Sequence, residues 1–148
     1  MEKHSEKEVS TGKEMFSEQE LAFLRTQPLA RLATVAVNGQ PDADAVGFAF
    51  ENGRFYIAGT YLERTRKYKN IAAGQSKVSL LIDDLRSLEP FEPRAIKIHG
   101  EAVILHLEEG FQGPGTYLVI TPKVSWSHGI EGPTFQDGKP VIKKITWE

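Results

Sequence analysis

The pattern of apolar and polar positions first predicts an amphipathic helix. Ser17 is followed three residues later by Glu20, the spacing of a capping box in which each side chain satisfies a backbone N–H at the helix start. Leu21 and Leu24 then lie at helical spacing, and a proline soon afterwards prevents the helix from continuing. We therefore expect a helix that starts at Ser17 and runs to about Thr26.

From residue 30 onward the pattern is that of strands joined by tight turns. Small and β-branched residues dominate two runs that flank Asn38-Gly39, a pair that favours the positive-φ turn of a β-hairpin. A second such pair, Asn52-Gly53, precedes a further run. The pattern predicts a three-stranded antiparallel meander with strands at residues 31–37, 43–50 and 54–58.

The second half of the chain continues with one short helix and several strands. Gly74 is placed to end the helix, because glycine readily adopts the left-handed conformation of a helix C-terminus. The helix is expected at residues 65–73, and the strands at 77–83, 95–107, 116–124 and 141–146, with a loop at 84–93. At least six strands with two short helices predict a mainly β fold, a closed or half-closed antiparallel barrel.

Length and composition indicate one domain with an ordinary core. The chain has 148 residues, of which 40% are hydrophobic and 26% charged, so it can bury a core. The first 14 residues contain a single large apolar residue after Met1. We therefore expect residues 1–15 to be a mobile N-terminal tail and residues 16–148 to form the domain.

Charge and cysteine content exclude several classes of protein. The chain has 18 Lys and Arg against 20 Asp and Glu, a net charge of −2, which disfavours binding to nucleic acid or to an anionic membrane. The absence of cysteine removes disulfides, thiolate zinc sites, iron–sulfur clusters and cysteine nucleophiles. No apolar run approaches the roughly 20 residues of a membrane span, and the N-terminus lacks the apolar stretch of a signal peptide. We expect a soluble, cytoplasmic protein.

A cluster of cations marks the start of the second predicted helix. Four of them fall within residues 64–69, here called the basic turn: Arg64, Arg66, Lys67 and Lys69. The helix macrodipole makes this end positive, so cations there are unfavourable unless an anion binds among them. The turn is either an anion site or a solvated basic face. Gly59 and Thr60, at the preceding strand end, favour the first interpretation, because a ligand can approach the backbone there.

No set of side chains predicts acid–base or nucleophilic catalysis. The four histidines, at positions 4, 99, 106 and 128, are not spaced as metal ligands and are better explained as structural or surface residues. Asp83 and Asp84 end a predicted strand and could bind a metal or act as a base, but such pairs commonly bond backbone N–H groups of a turn. We expect no metal site, and an enzyme built on this chain would take its reactivity from a cofactor.

The order of several short motifs resembles one known superfamily. The motifs are Leu32-Ala33-Thr34-Val35, Asn38-Gly39-Gln40-Pro41, Val46-Gly47-Phe48, Arg64-Thr65-Arg66-Lys67-Tyr68, residues 78–84, Pro93-Arg94-Ala95-Ile96 and Val124-Ser125-Trp126. Together they resemble the pyridoxamine 5′-phosphate oxidase-like superfamily with its flavin-binding split β-barrel. Within it, the chain is most similar to the subgroup of probable coenzyme F-420-dependent oxidoreductases. The resemblance covers residues 16–129.

The resemblance implies a homodimer with two cofactor sites at the subunit interface. It implies that the basic turn holds the phosphate of the cofactor, coenzyme F-420 or FMN, and that the strand around Gly47 lies along its ring. The catalytic residues remain unknown. The implied cofactor-binding residues are Val46, Gly47, Phe48, Gly59, Thr60, Arg64, Thr65, Arg66, Lys67 and Arg94, with Trp126 as a further match.

The chain departs from true pyridoxamine-phosphate oxidases in the strand that contains Gly47. Those enzymes carry basic residues where this sequence has Asp44 and Ala49. Because Asp44 would repel a phosphate, we do not expect pyridoxine 5′-phosphate to be the substrate.

The expected function is that of a flavin- or deazaflavin-dependent oxidoreductase. It would transfer a hydride to or from a small or planar unsaturated substrate. A non-catalytic flavin- or haem-binding module is the alternative, and an RNA-binding barrel is a third interpretation, which the acidic composition disfavours.

Overall fold

The computed structural model describes residues 15–147 and, as backbone only, residues 5–10. In this part of the chain the fold is mainly β, a split barrel with two α-helices, as the sequence predicted. Neither helix is long and apolar enough to cross a membrane. The strands are β1 (Ser5–Ser10), β2 (Ala30–Val35), β3 (Pro41–Val46), β4 (Phe48–Glu51), β5 (Arg54–Ile57), β6 (Lys77–Ser87), β7 (Glu92–Leu107), β8 (Gly115–His128), β9 (Phe135–Gln136) and β10 (Lys139–Thr146). The helices are α1 (Glu18–Thr26) and α2 (Arg66–Ala72), with a single 3-10 turn at Leu62–Arg64.

The strands follow the order β1-β10-β8-β7-β6-β2-β3, and β4 and β5 join this sheet through β5 and β8. Among the described strands every neighbouring pair is antiparallel except β1 with β10. Strand β8 pairs with β7 along most of its length, with β5 near its start and with β10 near its end. It therefore joins the two halves of the split barrel.

The hydrophobic core lies between the inner face of the curled sheet and α1. Strand β7 shows the alternation that produces it, because Ile96 and Ile98 are fully buried while Lys97, His99 and Glu101 are exposed. A further group of fully buried side chains comes from four other strands: Leu32, Phe55, Ile57, Leu80, Ile82, Leu118 and Ile120.

The two Asn-Gly turns differ, and one of them corrects the prediction. Asn52 and Gly53 both have positive φ, at 53° and 78°, as expected of a two-residue hairpin turn. In the first turn only Gly39 does, at 90°, and the Asn38 side chain instead accepts a hydrogen bond of 3.0 Å from the Gln40 N–H. An asparagine can satisfy the backbone either by adopting positive φ or by its side chain, so the same dipeptide closes two different turns.

Two predicted segments have different bounds in the structure. The expected strand 43–50 is two strands, because the chain breaks at Gly47: β3 pairs with β2, and β4 pairs with β5. The expected loop 84–93 is mostly strand, since β6 continues to Ser87 and β7 starts at Glu92. Prolines at positions 90 and 93 suggested a loop, but they fall at the hairpin tip and at the start of a strand, where proline is tolerated.

Both ends of the described chain join the sheet. Strand β1 pairs in parallel with β10, so residues 5–10 of the expected tail have regular structure, and the mobility of residues 1–15 stays a prediction. At the other end the Trp147 indole N–H donates to the Ser125 hydroxyl at 2.9 Å, and its ring lies 4.9 Å from that of Phe16, edge to face. The last described residues therefore complete the core of their own chain.

Candidate functional site

A cavity of about 430 Å³ opens where several strands end. Three residues that the sequence assigned to a cofactor site, Gly47, Gly59 and Thr60, line it together. A loop between β7 and β8, which the sequence did not assign to the site, forms the opposite wall. The remaining lining residues are Ala58, Phe111, Gln112, Pro114, Gly115, Thr116 and Tyr117.

The loop wall is held by the buried side chain of Tyr117. Its hydroxyl accepts a hydrogen bond from the Gln112 N–H at 3.0 Å and donates one to the Gly113 carbonyl at 2.6 Å. A Cβ at Gly110 would overlap this hydroxyl, so the close approach requires glycine there. The sequence contains the turn-forming run Gly113-Pro114-Gly115 here, but nothing in it points to the hydrogen bonds of Tyr117.

Helix α2 begins with a side-chain cap. The Thr65 hydroxyl accepts a hydrogen bond from the Tyr68 N–H at 3.3 Å and donates one to the Leu62 carbonyl at 2.6 Å. Thr65 therefore occupies part of the hydrogen-bonding capacity that the sequence assigned to a bound anion. The Asn70 amide donates to the Thr34 hydroxyl at 2.9 Å and fixes the helix on β2.

The four cations of the basic turn do not share one environment. Arg64, Arg66 and Lys69 are exposed, and the Arg64 guanidinium lies 4.8 Å from the centre of the Tyr61 ring. Lys67 is buried, with 9% of its surface exposed, and its ammonium is 3.0 Å from an Asp44 carboxylate oxygen. Three cations are therefore directed to solvent, and the fourth is held by the carboxylate that the sequence had marked as repelling a phosphate.

The residues on either side of Gly47 face the core. Val46 is buried, and Phe48 is half-buried with its ring 6.1 Å from that of Phe55. Val46, Gly47 and Phe48 were predicted to contact the ring of the cofactor, and of these three Gly47 lines the cavity. The backbone break between β3 and β4 thus exposes a stretch of main chain without a side chain over it.

Arg94 lies in a different environment from the other predicted site residues. Its guanidinium makes two hydrogen bonds to the Asp84 carboxylate, of 2.8 and 2.6 Å, and is 5.0 Å from the centre of the Phe23 ring. The Gln27 amide bonds the same carboxylate at 2.9 Å. The Arg94 bonds hold the pKa of Asp84 below its usual range, and the Asp84 bonds raise the pKa of Arg94. Within one chain Arg94 does not line the cavity, so its role toward a cofactor stays a prediction.

Three of the other residues considered for chemistry have structural partners, whereas Asp83 Oδ1 is buried without a hydrogen-bond partner and lies 3.8 Å from Arg31 Nε. The His99 ring packs edge to face on Trp126 at 4.8 Å, and the His128 ring is hydrogen-bonded to the Thr134 carbonyl at 2.9 Å. In residues 15–147 no group of three His, Cys, Asp or Glu is arranged to hold a metal ion. Asp84, a candidate base in the sequence, is fully engaged by Arg94 and Gln27.

A second cavity, of about 490 Å³, lies across β2, β6, β7 and β8. Its floor is largely apolar, and charged or ionisable residues stand at its rim, including Lys77, His99, Glu101 and Lys123. None of the predicted cofactor-binding residues lines it. It is therefore separate from the candidate site.

Two solved structures share this fold. The alignment with an F420 reductase covers 74% of this chain and 98% of the reductase, with a TM-score of 0.57 and 21% identity. The alignment with HutZ, the haem storage protein from Vibrio cholerae, covers 74% of this chain and 92% of HutZ, with a TM-score of 0.56 and 16% identity. At these identities the likeness concerns the fold.

Sequence comparison gives the family. The chain is 37% identical over 122 residues to a Streptomyces rimosus subsp. rimosus protein named 5a,11a-dehydrotetracycline/5a,11a-dehydrooxytetracycline reductase, a match that covers 79% of this chain and 85% of the relative. Residues 16–115 match the family described as pyridoxamine 5′-phosphate oxidase. The split barrel, the order of the motifs and these matches agree: the chain belongs to the pyridoxamine 5′-phosphate oxidase family.

Proposed function

We propose that the protein is an oxidoreductase that binds coenzyme F-420 or FMN in the cavity beside Gly47. The observation that carries the proposal is that Gly47, from one motif, and Gly59 and Thr60, from the end of a later strand, line one cavity. Its volume of about 430 Å³ is in the ordinary range for small-molecule sites. The reductase from Streptomyces rimosus supports the same class of reaction.

The chain's own residues suit a flat ring that carries a phosphate. Gly47 and Gly59 leave the backbone open to close approach, and Thr60 adds a hydroxyl. The exposed guanidinium groups of Arg64 and Arg66 can make charge-assisted hydrogen bonds to phosphate oxygens. Lys67 would contribute only by sharing its ammonium with Asp44. When bound, the cofactor would supply the hydride transfer that no side chain here provides.

We also propose that the protein is a homodimer in which the second copy completes the site. Arg94 and Trp126 match family motifs but do not line the cavity of their own chain. At the tip of the hairpin beside Arg94, Leu88 and Phe91 are 68% and 56% exposed, as is typical of a surface that another chain covers. Analytical ultracentrifugation with and without cofactor tests this, and a monomer in both conditions would contradict it.

Equilibrium titration with each cofactor tests the binding proposal. A charged hydrogen bond contributes about 1.5–3 kcal/mol, so Arg66→Ala should weaken binding of the cofactor roughly 10- to 150-fold. Arg54→Ala removes one exposed cation from β5 and is the matched control, with less than a twofold change expected. Equal affinities of the wild type and Arg66→Ala would contradict the assignment of the basic turn.

The reaction is tested by following oxidation of the reduced cofactor in the presence of candidate acceptors. Planar unsaturated compounds of the dehydrotetracycline type are the first to use, given the name of the Streptomyces relative. Pyridoxine 5′-phosphate should not react, because Asp44 stands where the family oxidases carry a cation. Turnover of pyridoxine 5′-phosphate at a rate similar to that of the other compounds would contradict this specificity.

The alternative is a module that binds haem without catalysis. Haem needs an axial ligand such as histidine, and His99 lines the larger cavity of about 490 Å³. No histidine or methionine lines the cavity beside Gly47. The absorption spectrum of purified protein separates the two functions. A haem band that is lost in His99→Ala would favour the haem module, and a flavin or deazaflavin band that changes when an acceptor is added would favour the oxidoreductase.

A further inference from the structure

The carboxylate of Asp44 is held against the basic turn by a buried lysine. The Lys67 ammonium lies 3.0 Å from an Asp44 oxygen, and only 11% of the Lys67 side chain is exposed, against 41% of the Asp44 side chain. Asp44 is thus a negative charge that is partly exposed to solvent and is paired with one cation of the basic turn. A phosphate bound at the basic turn would therefore lie close to this carboxylate.

We propose that Asp44 determines which cofactor the basic turn accepts, by selecting against a dianionic phosphate in favour of a monoanionic one. The inference rests on the proposed function, because it concerns the phosphate of the same cofactor. A phosphate oxygen that shares the Lys67 ammonium with Asp44 lies within about 6 Å of the carboxylate, since each oxygen is about 3 Å from the same nitrogen. Repulsion at that distance grows with the charge on the phosphate.

The two candidate cofactors differ in this respect. FMN ends in a phosphate monoester, which carries close to two negative charges at neutral pH because its second pKa is near 6. Coenzyme F-420 contains a phosphodiester, which carries one. Asp44 therefore penalises FMN about twice as strongly, and the chain should prefer the deazaflavin.

The test is the ratio of the dissociation constants for FMN and coenzyme F-420 in wild type and Asp44→Asn. The asparagine carbonyl can still accept a hydrogen bond from Lys67, so residue 44 loses its negative charge while the geometry of the contact is kept. One unit charge at about 6 Å in water corresponds to about threefold in affinity. We expect Asp44→Asn to tighten FMN about 10-fold and coenzyme F-420 about threefold, so that the ratio changes about threefold.

Asp42→Asn is the matched control. Asp42 lies two residues away on the same face of β3, is half-buried like Asp44, and has no ion pair in the described part of the chain. Its substitution removes the same charge, and we expect the ratio to change less than twofold. Riboflavin, which has no phosphate, should bind wild type and Asp44→Asn equally.

The outcomes separate this inference from the proposed function. A shift of the ratio of dissociation constants in favour of FMN in Asp44→Asn, which Asp42→Asn does not reproduce, supports the inference. Binding of both cofactors with an unchanged ratio, or with the same change in both variants, overturns it and leaves the proposed function in place. Failure of the wild type and both variants to bind either cofactor overturns both. Thermal melting confirms that each variant is folded, and Asp44→Ser provides a second substitution should Asp44→Asn not fold.

Discussion

The molecule gathers charged side chains in two contrasting ways, at the start of α1 and at the start of α2. At α1 the Glu20 side chain is fully buried and every partner belongs to the chain: its carboxylate accepts from the Ser17 N–H at 2.8 Å, from the Ser127 hydroxyl at 2.5 Å and from the Lys143 ammonium at 3.3 Å. At α2 three of four cations face solvent, and Arg66 and Lys69 have no ion pair within the described residues.

The difference separates a charge that serves the fold from charges that, in our proposal, serve a ligand. A buried carboxylate is tolerated only where hydrogen bonds and a cation compensate for the water it has lost. Exposed cations at a helix start are tolerated without such compensation because they remain hydrated, although the helix dipole opposes them. The first arrangement ties α1 to the end of the chain, and the second leaves binding capacity unused by the fold.

Breaking the buried cluster should give the largest effect. Glu20→Ala removes the capping box and leaves Lys143 without its most buried partner. We expect the free energy of unfolding to fall by about 3–5 kcal/mol in urea denaturation, the usual cost of breaking a buried pair. Glu18→Ala, an exposed acid in the same first turn, is the control and should cost less than about 1 kcal/mol. Equal losses in the two variants would mean that burial does not distinguish these carboxylates.

Removing Lys143, the cation that contacts Glu20, should lower the free energy of unfolding somewhat less than removing Glu20 does. Burial lowers the pKa of Lys143, but the neighbouring Glu131 and Glu20 carboxylates outweigh it, and the net pKa is raised. Lys143→Met should therefore lose about 1.5–3 kcal/mol at neutral pH, the value of hydrogen bonds to charged groups. A raised pKa stabilises the fold below the unfolded value, near 10.4, and the contribution disappears as pH rises through the folded pKa. The gap between wild type and variant should thus close in strong alkali, and a constant gap would contradict the assignment.

The Asp84–Arg94 pair lies between the two extremes, because its side chains are 30% and 28% exposed. Asp84→Asn should cost about 1 kcal/mol or less at pH 7, as expected of a partly exposed pair. The Arg94 bonds lower the pKa of Asp84, so the contribution is present above the unfolded value near 3.9 and is lost as pH falls through the folded pKa. Unfolding curves of wild type and variant should therefore converge below about pH 4. Curves that stay parallel in acid would show that the charge of Asp84 does not stabilise the fold.

Removing a cation from the basic turn should have the smallest effect on stability, and of opposite sign. Arg66→Gln relieves an unfavourable interaction with the helix dipole, so the free energy of unfolding should rise by about 0.3–1 kcal/mol while affinity for the cofactor falls. Calorimetric melting without ligand measures the first effect. A marked destabilisation would instead show that Arg66, like Glu20, stabilises the fold.

The sequence was sufficient where one local interaction decides the structure. The capping box at Ser17 and Glu20 and the turn at Asn52-Gly53 formed as predicted, because each depends on residues close in the chain. The break at Gly47 could not be predicted, because it depends on two strand pairings with different partners. The strand over residues 5–10 depends on β10, more than 130 residues later.

The residues of the candidate site fall into the same two groups, those that the sequence predicted and those that depend on distant parts of the chain. Gly47, Gly59 and Thr60 were found because a family motif marks each of them, and the structure brings them together. The environment of Lys67 was not foreseen, since its partner Asp44 lies on another element 23 residues earlier. The wall around Tyr117 was missed because its hydrogen bonds involve backbone atoms, which leave no trace in side-chain identity.

The packing of Trp147 on Phe16 sets an order of events during synthesis. Phe16 and Phe50 leave the ribosome long before the indole that packs against both. Until then the nascent chain must carry an uncovered aromatic cluster, which is a target for chaperones. Trp147→Ala, which leaves this cluster uncovered, should therefore lower the yield of native protein.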